Sequence, residues 1–172
     1  MDSLEKHIIY PGTFNPITLG HVDLVNRALK LFSQLTLAIF KERKSTDDFL
    51  NEEERLRACQ LCFKHYKKVN VIFFDGLLVD LVKEINACAV LRGIRTITDF
   101  NYEMKMNYIN KELNYAFETI LLPSQQKFLF CSSSIVKKIA EFDIDQTRSF
   151  LPEIVFNILK KKYSKNQKDF LV

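Results

Sequence analysis

Short apolar runs alternate with longer amphipathic ones along the chain. Residues 7–10 (HIIY) predict a strand that stops at Pro11-Gly12. From Gly20 to Ser33 the apolar residues fall at Val22, Val25, Ala28, Leu29 and Phe32, a helical period, with Thr18 placed to cap it from outside. Residues 35–40 (LTLAIF) predict a second strand, and the polar stretch KERKSTDDF after them a loop. Residues 51–68 predict a helix: Asn51 caps it, and three Glu occupy its first turn, where the helix dipole favours negative charge. Residues 69–74 read as a strand, 77–86 as a helix, 88–91 as a short buried strand ending at Arg92-Gly93, and 98–113 as a helix. A strand at 117–122 ended by Pro123 and a helix at 132–142 follow, and Pro152 opens a last helix at its first-turn position. This alternation predicts βαβ units, hence an α/β fold with a parallel sheet and helices on both faces. No repeat, low-complexity segment or linker interrupts it, so residues 1–172 are expected to form one domain.

Composition sharpens that picture. Of 172 residues, 47% are hydrophobic and 27% charged, the balance of a globular domain with a full-sized core. Glycines number only four (Gly12, Gly20, Gly76, Gly93), where roughly 7% usage would give about twelve. With four prolines, this excludes collagen-like, Gly/Ser-linker and Pro-rich architectures, and marks the places where the backbone needs glycine. The formal charge of +4 favours anionic ligands weakly and does not imply nucleic acid. Much of the excess lies in Lys160-Lys161-Lys162, Lys165 and Lys168, so 160–172 are expected to be a solvated, fraying basic tail. No apolar run approaches the ~18 residues of a membrane span, and the N-terminus lacks the pattern of a secretory signal. A cytoplasmic protein with no membrane partner is expected, its four cysteines thiols.

Open α/β sheets bind ligands outside the carboxyl ends of their strands, at the switch in strand order. Three segments should meet there: residues 11–16, 92–95 and 131–134. In the first, YPGTFNPITLGHVD, Gly12 lets the chain turn off the strand, and Gly20-His21 open a helix whose unpaired N–H groups suit phosphate. Gly20, without a side chain, would admit a ligand to the backbone, His21 could donate to a phosphoryl oxygen, and Thr13 could hold an incoming phosphate. Neither G-x-x-x-x-G-K-[ST] nor G-x-G-x-x-G is present. Ser132-Ser133-Ser134 before a helix form a second anion site, and Arg92 and Arg95 around Gly93 a third. The plainer alternatives are a histidine with a structural hydrogen bond, a serine N-cap (which explains one serine of three) and two surface arginines. Together the three elements imply a polyphosphate substrate. There is no strong metal cage, no nucleophile–base–acid triad and no pair of acid/base carboxylates. Direct phosphoryl or nucleotidyl transfer needs none of these, because its catalysis is mostly positioning and charge neutralisation.

YPGTFNPITLGHVD, LRGIRTITDFNYEMKMNYIN and SSSIVKKIA, in that order, closely resemble the sequence blocks of bacterial phosphopantetheine adenylyltransferases, over residues 8–159. T-x-G-H alone marks the wider nucleotidyltransferase superfamily, whereas R-G-x-R followed by D-F-x-Y-E is more specific. The resemblance implies a single Rossmann-type domain, a homo-hexamer, and transfer of AMP from ATP to 4′-phosphopantetheine with Mg²⁺ assisting, giving dephospho-coenzyme A and pyrophosphate. It implies that Thr13 contacts the attacking phosphate and ATP, that Phe14 lies along the nucleotide, and that His21 stabilises charge on the α-phosphate. Arg92 would bind the phosphopantetheine phosphate, and Gly93, Ile94, Arg95 and Glu103 would contact ATP. Phe128, Leu129, Phe130, Cys131, Ser132, Ser133 and Ser134 would wrap adenine and phosphates, and Leu78 would lie against the pantetheine arm. No residue is assigned to metal. Asn15 stands where the family usually has Asp, and Phe128 where it often has Trp. The loop 41–48 differs in length from the family's lysine loop; Lys44 is taken as the substrate-binding lysine, with Lys41 and Arg43 as alternatives. Two other functions fit part of the pattern. One is a nucleotidyltransferase with another acceptor such as nicotinate mononucleotide, against which D-F-N-Y-E argues. The other is a non-catalytic nucleotide or coenzyme A sensor, suggested by Asn15 and the altered loop. Cys59-x-x-Cys62 lies mid-helix and reads as core.

Overall fold

The computed structural model describes residues 6–41, 49–113 and 118–169, with side chains as far as 163. Strands β1 (His7–Gly12), β2 (Gln34–Phe40), β3 (Val69–Phe74), β4 (Ala89–Ile94) and β5 (Glu118–Pro123) pair in parallel, in the order β3-β2-β1-β4-β5. The helices are α1 (Leu19–Ala28), α2 (Glu52–Phe63), α3 (Leu78–Glu84), α4 (Ile97–Leu113), α5 (Ser133–Ala140) and α6 (Glu153–Asp169). The strand–helix alternation read from the sequence is thus the observed Rossmann-like α/β fold.

β1 and β2 are covered on both faces, which is why their sequences are continuous apolar runs rather than alternating ones. On one face Ile8, Tyr10, Leu35, Leu37 and Leu91 form a core with Leu24 and Val25 of α1, Ala58 and Cys59 of α2, Val136 of α5 and Leu159 of α6. On the other, Ile9, Ala38 and Val90 pack against Val79, Leu81 and Val82 of α3. After β3 the chain returns past β1 to place β4 on its far side, so the carboxyl ends of β1 and β4 part. This is the strand-order switch where a ligand cleft is expected.

Element ends differ from the sequence reading for local reasons. β1 continues through Pro11-Gly12, in register with Ala38 and Ile39 of β2. α1 stops at Ala28, where Leu31 and Phe32 both bond back to the Ala28 carbonyl at 2.9 Å. α2 ends at Phe63 and starts with a reciprocal cap: Asn51 Oδ1 accepts from Glu54 N–H (2.8 Å) and Glu54 Oε2 from Asn51 N–H (2.9 Å). Two 3₁₀ turns, Gln126–Phe128 and Ile144–Phe150, were not predicted. The lysine cluster expected to fray is instead helical, since α6 runs to Asp169. Lys160 pairs with Asp145 at 2.6 Å and Lys162 with Glu54 at 2.7 Å, which ties the helix to its neighbours. Among the described residues no helix is long and apolar enough to cross a membrane.

Candidate active site

A cleft of about 600 Å³ opens at the switch. Its floor is the end of β1 with the following loop (Tyr10 to Phe14), one wall is His21, and the other is the β4–α4 turn with Arg92, Gly93, Arg95, Asp99 and Glu103. A smaller cavity of about 290 Å³ adjoins it and shares Phe40, Arg92, Tyr102 and Glu103. That cavity reaches Leu78 and the α4 residues Met106, Ile109 and Leu113.

His21 is the third residue of α1. The Thr18 backbone N–H donates to its Nδ1 at 2.9 Å, and Thr18 Oγ1 lies 3.0 Å from the same nitrogen. An Nδ1 that accepts from an N–H carries no proton, so the neutral ring holds its proton on Nε2. Burial, helped by the charge of Arg95, lowers the His21 pKa to about 4. His21 is therefore a neutral donor at the cleft wall. It does make the structural hydrogen bond of the plain alternative, but with the nitrogen that donation does not need.

Phe14 departs from its expected role. The residue is 2% exposed and left-handed (φ +48°), and its ring meets the His21 ring edge-on at 5.2 Å and the Tyr10 ring at 5.3 Å. A ring so buried offers little surface to a nucleotide, although Phe14 borders the cleft. Gly20 also departs. Its N–H donates to Cys131 Sγ at 3.4 Å, and a Cβ added there would lie 3.0 Å from the Cys131 carbonyl oxygen. The missing side chain makes room for Cys131 rather than for a ligand. At Gly93 a Cβ would run into the Leu24 side chain, so this glycine lets α1 lie close on β4.

Arg92 and Glu103, expected on different substrates, are bonded to each other. Arg92 Nε and Nη2 donate to the two Glu103 oxygens at 2.7 and 2.6 Å, and Nη1 donates to the Pro11 carbonyl at 3.0 Å. One N–H on each terminal nitrogen remains for a ligand. Arg95 Nε lies 3.4 Å from Asp99, whose carboxylate also accepts the Arg95 and Thr96 backbone N–H groups. Thr13 is exposed at the cleft, and its carbonyl accepts from Arg55 Nη1 at 3.0 Å. Arg55, 2% exposed, also donates to the Phe40 carbonyl at 3.1 Å and so ties together the loops after β1 and β2.

The serine segment divides three ways. Ser132 Oγ accepts from Ile135 N–H at 3.2 Å and is the α5 cap, Ser133 Oγ donates to the Pro16 carbonyl at 2.8 Å, and Ser134 is exposed. Cys131 is buried against Gly20, while Leu129 and Phe130 are exposed and do not line the cleft. Ile94 closes β4 and accepts from Ser124 N–H with its carbonyl. Leu78 lines the smaller cavity. Lys44 and Arg43 lie outside the described residues; Lys41 is described, 3.9 Å from Asp75. Asn15 is 1% exposed, and neither side-chain polar atom has a partner among the described residues. Cys59 is buried in α2, and burial raises both thiol pKa values of the C-x-x-C, that of Cys62 to about 11. Among the described residues no three His, Cys, Asp or Glu gather where they could hold a metal ion.

Sequence reasoning missed Tyr10, Thr18 as the partner of His21, Asp99 as the anchor of Arg95, and Tyr102. Two carried a signal: Thr18, read as the helix cap, stands at capping-box spacing before His21, and Asp99, four residues beyond Arg95, can reach it within one turn.

A family model described as cytidylyltransferase-like matches residues 9–139. Phosphopantetheine adenylyltransferases of Francisella tularensis subsp. mediasiatica (strain FSC147) and subsp. novicida (strain U112) are each 41% identical to the chain over 164 residues, 94% of this chain and 99% of theirs. A solved structure from Vibrio parahaemolyticus, assigned to nicotinate-nucleotide adenylyltransferase, superposes with a TM-score of 0.65 at 18% identity, covering 92% of this chain and 93% of its own, and bears on the fold alone.

Proposed function

The chain belongs to the phosphopantetheine adenylyltransferase family of cytidylyltransferase-like nucleotidyltransferases, and from that premise we propose that it moves AMP from ATP to 4′-phosphopantetheine. A phosphate oxygen of phosphopantetheine attacks the α-phosphorus in line. The bond from that phosphorus to the α–β bridging oxygen breaks, and dephospho-coenzyme A and pyrophosphate result. The observation that carries this reading is His21, a neutral Nε2–H donor fixed by Thr18 across the cleft from Arg92 and Arg95. Negative charge grows on the α-phosphate oxygens as the attacking oxygen closes in, and a donor already aimed there stabilises the transition state more than the ground state.

The remaining residues take the roles that the resemblance implies, adjusted to the geometry. Thr13 and Arg92 hold the attacking phosphate. Gly93, Ile94 and Arg95, with Glu103 and the backbone of Phe14, face ATP. The 128–134 segment lies on the adenine side. The smaller cavity suits the pantetheine arm: Leu78, Met106, Ile109 and Leu113 are apolar, and Asn107 and Asn110 offer amides for the arm's own amides. That narrow extension favours a long acceptor over a flat one such as nicotinate mononucleotide. Lys44 remains the proposed substrate lysine. Mg²⁺ would assist by offsetting phosphate charge; among the described residues no group of three His, Cys, Asp or Glu stands ready to hold it.

We also propose one domain over the whole chain, a cytoplasmic location and a homo-hexamer. α4 supports the last: among its described residues Glu103 alone is buried, while Ile97 and Tyr108, which line neither cavity, are more than half exposed. The test of function is pyrophosphate release from ATP with each acceptor in turn. Release with 4′-phosphopantetheine is expected; release only with nicotinate mononucleotide would overturn the reading.

A further inference from the structure

Phe14 is a bulky residue in a left-handed backbone conformation, at φ +48°. Side chains with a Cβ avoid that region, so an aromatic residue there is a true outlier. Three neighbours accommodate it. Gly12 leaves room for the ring, since a Cβ added at Gly12 would lie 2.9 Å from Phe14 Cζ. Tyr10 meets it edge-on at 5.3 Å, with an interplanar angle of 88°. On its other side stands His21, ring to ring at 5.2 Å and 75°. His21 is thus held at two places, by Thr18 at Nδ1 and by Phe14 against its ring. The two Thr18 contacts restrain Nδ1, and within the tolerance of those contacts rotation about the side-chain bonds can still tilt the ring. Edge-to-face packing fixes the plane.

We propose that Phe14 is a positioning residue: its buried ring sets the plane of the His21 imidazole, so that Nε2–H meets the α-phosphate in the transition state. The proposal rests on the adenylyl-transfer reading for its consequence and on geometry for its content. It also accounts for the strained backbone, which an ordinary core side chain would not need. Donation to a developing charge depends steeply on placement, and an ångström of misplacement can cost about a hundredfold in rate.

The test is Phe14→Leu, which keeps apolar volume and removes the ring. Expected are a kcat at least tenfold lower, KM for ATP and for 4′-phosphopantetheine within about twofold of the unmodified chain, and a His21 titration, followed by NMR, moved up toward 6.5 as the ring loosens. Gly12→Ala, whose methyl would crowd the far end of the same ring, should reproduce all three and serves if Phe14→Leu does not fold. Leu159→Ala in the same core cluster is the comparison: its melting temperature falls while kcat and the His21 titration stay. If Phe14→Leu or Gly12→Ala loses stability yet keeps kcat and the His21 titration, Phe14 only fills the core. A raised KM for ATP at unchanged kcat would make it a nucleotide contact instead. The titration needs no substrate, so an unmodified chain that released no pyrophosphate would overturn the proposed reaction and leave this readout standing.

Discussion

His21 should stay neutral down to a pH near 4, and this can be measured in isolation. Its pKa falls from the ordinary 6.5 to about 4 because the ring is buried and Arg95 lies close. Protonation at Nδ1 would also turn the Thr18 N–H···Nδ1 bond into a clash of two donors. The folded pKa is the lower one, so between 6.5 and 4 the unfolded chain binds the extra proton. Stability therefore falls as pH drops through that window, the loss is complete below 4, and above 6.5 the group contributes no pH dependence. At roughly 1.4 kcal/mol per tenfold change, the gap is worth about 3 kcal/mol, which we reduce to about 2 kcal/mol because the ring borders the cleft. The chain has three histidines, so one variant, His21→Gln, assigns the NMR signal. That variant should also lose about 2 kcal/mol of the acid-induced drop in stability. The lowered pKa of His7 works in the same direction and stays in both chains. In activity, His21→Ala should retain ATP binding and lose about a hundred- to a thousandfold in kcat, the usual cost of one such donor. A His21 signal titrating at 6.5 or above, or an alanine variant with undiminished turnover, would refute the neutral-donor reasoning.

Arg92→Ala should raise KM for 4′-phosphopantetheine more than for ATP in steady-state kinetics; the reverse would mean that the two phosphate sites are exchanged. It also leaves the 7%-exposed Glu103 carboxylate without its bidentate partner, so stability in urea should fall by about 2–3 kcal/mol, less if Glu103→Gln is added. Gly93→Ala drives a methyl into Leu24 and should cost about 1–3 kcal/mol, with Leu24→Ala in the same chain recovering part of it. A strictly additive double variant would show that the two residues do not press on each other. Asn51→Ala removes the α2 cap and should cost about 1 kcal/mol, a fall of roughly 2–4 °C in melting temperature.

The fold was legible because its signals are local. Apolar runs such as LTLAIF and the cap at Asn51 each decide an element without distant help. That the segments 11–14 and 92–95 line a cleft was legible from their place after strand ends, since an open parallel sheet has one edge on which ligands bind. What each residue does there was less so, because it depends on partners far off in sequence. Gly20 looked like a ligand approach until Cys131 filled the space, and Arg92 looked unattached until Glu103 took two of its nitrogens. The Phe14 backbone is left-handed although its residue type argues against that, so propensity could not reveal it. The lysine run near the C-terminus reads as solvated by composition, and two acidic residues on other elements hold it in a helix.

Gly20 and Cys131 stand 111 positions apart yet share a hydrogen bond, and Ser133 clasps the Pro16 carbonyl beside them. The starts of α1 and α5 are thereby sewn together at two stitches. A methyl at 20 requires the backbone at 131 to retreat, and a larger side chain at 131 requires the turn at 20 to yield. The two should be inherited as a pair, and exchanging either alone between related chains should do more harm than exchanging both.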